Sequence, residues 1–153
     1  MERIVEFVPI STPPSWLDRV LPGSDLSSVE HSERTWSFGI GAHCRISTEG
    51  LWRVVASDGI KVASEDHGQM FGGAEPTDAL DILARTLTGP IWRVKVESLT
   101  ADLRLDFGEA ALEFVSTSSG YEAWRLTTRL DGEDLELIGM GGGKLAVPRG
   151  QRA

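Results

Sequence analysis

Asp66-His67 is the pair of neighbours in this chain best suited to chemistry, because a carboxylate beside an imidazole can orient a base or supply metal ligands, and Glu65 adds charge. On an extended chain, however, adjacent side chains point to opposite faces and are poorly placed to act on one atom. The competing reading is a turn, in which Asp66 and Gly68 shape the loop and His67 hydrogen-bonds backbone across it. Metal binding has less support: His43 and Cys44 are adjacent, His31 and His67 lie far off in sequence, and no C-x-x-C or H-x-x-x-H spacing occurs. Cys44 has no flanking signal of an activated thiolate and reads as a small buried hydrophobe. Ser64 and Ser116 lack the G-x-S-x-G context of a hydrolase nucleophile and read as turn caps. Gly141-Gly142-Gly143-Lys144 invites a phosphate loop, but Leu145 to Pro148 is too short and proline-limited to be the helix such a loop needs. A tight bend or a close chain approach fits the three glycines better. No residue is assigned a catalytic, cofactor-binding or metal-ligating role.

Aromatic and acidic residues make the other set of candidates. Trp36, Trp92 and Trp124 fall in strand-like segments and read as core. Trp16 lies in a proline-rich stretch and Trp52 is out of phase with Leu51 and Val55, so either can stand on the surface as a contact anchor. Tyr121-Glu122 reads as an exposed aromatic and acid pair or as a buried tyrosine with a bonded hydroxyl. Asp131, Glu133 and Asp134 form an acidic turn. The partner-binding candidates are thus Trp52, Glu65, Asp66, His67, Tyr121, Glu122, Asp131, Glu133 and Asp134.

These residues are positioned by a chain of alternating strands and one helix. Trp36, Phe38 and Ile40 share a face, Leu51 to Ala56 and Ile60 to Ala63 flank the turn Ser57-Asp58-Gly59, and five further strands follow from Trp92 to Met140. Lys144 to Val147 adds a last short one. Leu80, Leu83, Ala84 and Leu87 recur at helical spacing, with Pro76 and Asp78 at the start and Gly89-Pro90 at the stop, which predicts a helix over about 76–88. Leu51 to Gly68 aligns on Leu103 to Gly120 at a constant shift of 52 without a gap, so the chain reads as two related hairpin units. The expected fold is α+β, a mostly antiparallel sheet built from those units with the helix packed on it. Residues 1–35, carrying Pro9, Pro13, Pro14 and Pro22, read as a lead-in wrapping the core; 36–148 read as a single domain and 149–153 as a polar tail.

Composition narrows the partner. The 153 residues carry a formal net charge of −8, a sign that repels nucleic acid and anionic membranes and favours basic proteins. One cysteine fits a reducing cytoplasm, no apolar run is long enough for a membrane span, and the N-terminus lacks the pattern of a secretory signal.

Asp66-His67-Gly68-Gln69 with Phe71-Gly72, then Ser118-Ser119-Gly120-Tyr121-Glu122-Ala123-Trp124 with Gly141-Gly142-Gly143 downstream, resemble an uncharacterised family of small bacterial domains of unknown function. Trp52-Arg53 and Asp102-Leu103 fit as well, and the likeness runs from about Trp36 to Leu145. Relatives of this type resemble the immunity proteins encoded beside bacterial toxins, which implies a binder that neutralises a basic toxin, with no cofactor. The alternative is a small-molecule pocket or enzyme site where the 64–71 and 116–124 loops meet.

Overall fold

Apolar residues two apart fix which side of each strand faces inward, and here they build two facing sheets where one was expected. The computed structural model describes residues 4–151. Its strands are β1 (Val5–Val8), β2 (Leu26–Ser32), β3 (Thr35–Ile40), β4 (Cys44–Thr48), β5 (Leu51–Ala56), β6 (Gly59–Ala63), β7 (Ile91–Val96), β8 (Leu103–Phe107), β9 (Ala110–Val115), β10 (Trp124–Leu130), β11 (Glu133–Met140) and β12 (Lys144–Pro148). Helix α1 spans Leu17–Val20 and α2 spans Ala79–Thr86. All pairings are antiparallel, in a seven-stranded sheet ordered β1-β12-β11-β10-β4-β3-β2 and a five-stranded sheet ordered β6-β5-β9-β8-β7. The molecule is sheet-rich and short of helix.

The inner faces meet through aromatic rings. Phe38 of β3 packs edge-on against Trp52 of β5 and Phe114 of β9, with centroids at 5.6 and 5.1 Å. Rows such as Trp52–Phe114–Leu103 and Val54–Leu112–Leu105 cross the five-stranded sheet, all fully buried. The outer side of that sheet is charged and self-paired. Arg53 bonds Glu113 at 2.9 Å, Arg104 reaches Glu113 and Asp106 at 3.3 and 3.0 Å, and Arg93 closes on Asp106 at 2.7 Å.

The two hairpins β5–β6 and β8–β9 stand side by side in the five-stranded sheet, joined through β5 and β9. Their registers depart from the ungapped alignment: Trp52, not Leu51, shares the row of Leu103, and a bulge near Lys61 shifts β6 against β5. Helix α2 is shorter than its sequence signal. The Asp78 carboxylate caps it by accepting from the Asp81 amide at 3.2 Å, while Thr77 is held in the loop by bonds from its amide and hydroxyl to the Gln69 carbonyl. Ala79, Leu83 and Leu87 are buried along its length, and it lies against β6 at the open side of the sandwich.

The proline-rich first 35 residues contribute structure of their own. β1 pairs with β12 and β2 pairs with β3, so both are edge strands of the larger sheet. Between them Trp16, Leu17 and Leu21 are buried, and Gly23 and Ser24 exchange backbone bonds with Ile91. Trp92, expected in the core, is 56% exposed, because a bulge between Ile91 and Arg93 breaks the alternation there. No helix among the described residues is long and apolar enough to cross a membrane.

Candidate functional site

Antiparallel pairing sends the connections alternately to the two ends of the sandwich. One end gathers residues 33–34, 49–50, 64–78, 97–102, 116–123 and 141–143. These connections hold Glu33, Glu49, Glu65, Asp66, Glu75, Asp78, Glu97, Asp102 and Glu122 against the single base Arg34. Lys95 and Arg125, on the adjoining strand ends, pair with Glu97 and Glu122, which leaves seven acids against Arg34 at this end. The same end carries four of the eight large apolar side chains that stand exposed among the described residues: Met70, Phe71, Leu99 and Tyr121.

Glycines let the loops of this end close on one another. Gly141 packs its backbone on Ser119 and Gly120, where an added Cβ would sit 2.5 Å from the Gly120 nitrogen. Gly143, at φ +74°, abuts the Leu99 carbonyl. The three glycines thus dock the β11–β12 turn against the loops that carry Leu99 and Tyr121. Ser118 Oγ accepts from the amides of Gly120 and Tyr121 at 3.1 and 3.0 Å, which fixes the turn and leaves the Tyr121 ring 83% exposed. Glu122 takes two bonds from Arg125 at 3.0 and 2.9 Å. Those bonds hold the Arg125 guanidinium above its ordinary pKa against the opposing effect of partial burial.

Asp66 and His67 serve the backbone. Asp66 Oδ2 accepts from the Ala63 amide at 2.9 Å, and His67 Nδ1 accepts from the Ala79 amide at 3.1 Å, where helix α2 begins. The His67 ring also stands edge-on to Trp36 and His31, at 5.5 and 5.7 Å, so two histidines remote in sequence meet through the β2–β3 pairing. Beside them His31 stacks on Trp36 with centroids 3.9 Å apart. No group of three or more metal-ligating side chains occurs among the described residues.

Two clefts open at this end. One, of about 500 Å³, lies between His31, Trp36, Glu49, Ser64, Glu65 and Thr117. The other, of about 470 Å³, is lined by Thr35, Glu49, Thr117, Ser118, Tyr121 and Glu122. They share Glu49, Gly50 and Thr117, so the two clefts adjoin.

The remaining sequence candidates lie elsewhere. Trp52 has no exposed surface: it packs between Trp36 and Phe38, and its indole nitrogen is buried without an acceptor. It is a core residue and cannot be a contact anchor; its inward partner two residues on is Val54, not Val55. Trp16, the other possible anchor, is buried too. Asp131, Glu133 and Asp134 sit at or beside the β10–β11 turn, at the opposite end. There Asp131 pairs with Arg19 at 3.3 Å and Asp134 with Arg129 at 3.4 Å. Sequence reasoning missed His31, Glu49 and Thr117, none of which belongs to a motif. Burial pushes the Cys44 thiol up to about 12, offset in part by a hydrogen bond with Thr128, which marks an inert thiol.

No family model, curated protein or solved structure matches this chain.

Proposed function

We propose that the protein is a non-catalytic binding module that grips a basic protein partner with the loop end of its sandwich. The observation that carries this reading is the concentration of acid: the connections at that end hold nine carboxylates against one arginine, only two of them paired with cations of the adjoining strands, and also expose Met70, Phe71, Leu99 and Tyr121. Acidic residues around exposed apolar side chains suit a partner whose contact patch is apolar at its centre and basic at its rim, with charge setting the encounter rate and the rings setting the lifetime. An immunity-type inhibitor of a basic toxin is the form of this reading that the family resemblance adds. The bonding of Asp66 and His67 to backbone favours recognition over catalysis.

The test compares what the wild type and Glu49→Lys/Glu65→Lys/Glu75→Lys retain from an extract of the source cell. A basic protein held by the wild type and lost by the variant is the expected result. Retention unchanged by the three reversals, or a retained partner that is acidic, overturns the reading.

The two adjoining clefts favour a second reading, a small-molecule site between the 64–65 and 117–122 segments. Under it, Glu122→Ala abolishes ligand binding while leaving protein partners unaffected.

A further inference from the structure

The cleft beside His31 combines features that separately mean little. Trp36 is 4% exposed, yet it lines the cleft. Its indole nitrogen is not sealed in as those of Trp16 and Trp52 are, and it has no acceptor among the described residues. A buried aromatic with an unused donor is thus part of the wall of an opening of about 500 Å³. One face of its ring is covered by the exposed His31, which lines the same cleft. Glu49 and Glu65 flank the same opening, and neither has a cationic partner among the described residues, whereas Glu122 in the adjoining cleft is doubly bonded by Arg125. Unused carboxylates, an aromatic wall and an unused indole donor define a complementary ligand: a cation on an aliphatic stem with a carbonyl oxygen at its base.

We infer that this cleft receives one arginine residue of the partner chain. The guanidinium is taken between Glu49 and Glu65, the methylene stem lies along the His31–Trp36 wall, and the residue's own main-chain carbonyl meets the Trp36 indole donor. The inference deepens the binding reading above and rests on it. Arginine is favoured over lysine because its planar fork can bond two carboxylates at once and is less costly to desolvate against rings. Arg34, the cleft's own cation, is a like charge that opposes the ligand.

The test needs no partner. Nα-acetyl-L-arginine amide, and as its uncharged isostere Nα-acetyl-L-citrulline amide, are titrated into the ¹⁵N-labelled protein and followed through the Trp36 indole N–H and the amides of Gly50 and Thr117. The arginine compound is expected to shift all three saturably with a Kd on the order of 1 mM, as fits one side chain, and the citrulline compound to leave them in place. Glu49→Gln/Glu65→Gln, at two exposed positions, should weaken binding at least tenfold, and Arg34→Gln should tighten it about two- to fivefold through removal of a like charge. Equal shifts with citrulline, no loss in the double variant, or non-saturating shifts spread over Glu75 and Glu97 as well would each overturn the cleft assignment. The last outcome would leave the acidic end a diffuse electrostatic surface, and the extract experiment judges that reading separately.

Discussion

Gly139 lies directly opposite Trp124 in the β10–β11 ladder, and a methyl placed there would meet the indole, with Cδ1 only 2.8 Å away. Trp124 has nowhere to go. It is fully buried, and its Nε1 donates to the Ala101 carbonyl at 2.8 Å, which ties the seven-stranded sheet to the β7–β8 loop. Gly139→Ala therefore costs about 1–3 kcal/mol of overpacking. If the indole turns away, a further 1–3 kcal/mol or so follows from the broken buried hydrogen bond. Loss of glycine's freedom in the unfolded chain returns about 0.4–1 kcal/mol. With the indole displaced the net is about 1–5 kcal/mol, which for a chain of 153 residues is a fall in Tm of roughly 2–20 °C. Urea unfolding measures the first figure and calorimetry the second. In a Trp124→Phe background, with a smaller ring and no donor, the same change should cost less than half as much. Hydrogen exchange in residues 97–102 should quicken in Gly139→Ala alone, since the Trp124 bond to the Ala101 carbonyl helps hold this turn, in which Ala101 sits at φ +61°. A cost under about 1 kcal/mol, or an equal cost in both backgrounds, would refute the steric argument.

Two further outcomes are expected. Cys44 ionises near 12 in the fold, above its ordinary 9.0, so the native state binds more protons than the unfolded chain between those values and stability falls as pH rises through that window. The added slope approaches 1.4 kcal/mol per pH unit at most; Cys44→Ala should flatten it in urea melts from pH 8.5 to 10.5, and iodoacetamide at pH 8 should label the wild type only after unfolding. Glu49→Gln/Glu65→Gln/Glu75→Gln should raise stability at low ionic strength by a few tenths of a kcal/mol, because like charges about 10 Å apart repel by that much in water. The gain should vanish in 0.5 M salt, and a loss of stability at low salt would show that these glutamates hold the fold.

Much of the sheet was legible because period-two alternation is a direct consequence of strand geometry. Trp36, Phe38 and Ile40 point inward together, as do Leu103, Leu105 and Phe107. What the pattern could not carry was any interruption of it. The bulge at Trp92 turns an apparent core ring outward, and the bulge near Lys61 puts the two hairpins out of step with their ungapped alignment. Trp52 was misjudged by phasing it against Leu51 and Val55; its alternation with Arg53, whose guanidinium pairs with Glu113 on the outer side, gives the correct phase. β2 reads poorly as a strand because its sequence, LSSVEHS, is polar on both sides, as an edge strand tolerates. Tertiary pairing alone brings His31 beside His67 and Glu49 beside Thr117.

The acidic total was visible in composition, but its location depends on which turns share an end, and that is a property of topology. Local structure explains only part of the concentration. Asp66, Asp78 and Asp102 each accept a bond from a backbone amide, of Ala63, Asp81 and Ser116, so three aspartates are accounted for by the donors that turns and helix starts leave unpaired. Glu97 and Glu122 pair with Lys95 and Arg125. Glu33, Glu49, Glu65 and Glu75 have no such employment among the described residues. Packing alone gives no reason for four unpaired glutamates to share the end where Met70, Phe71, Leu99 and Tyr121 are exposed, since gathered like charges repel and gathered apolar side chains favour association. Their shared location is the feature of this end that the proposed binding role accounts for and local structure does not.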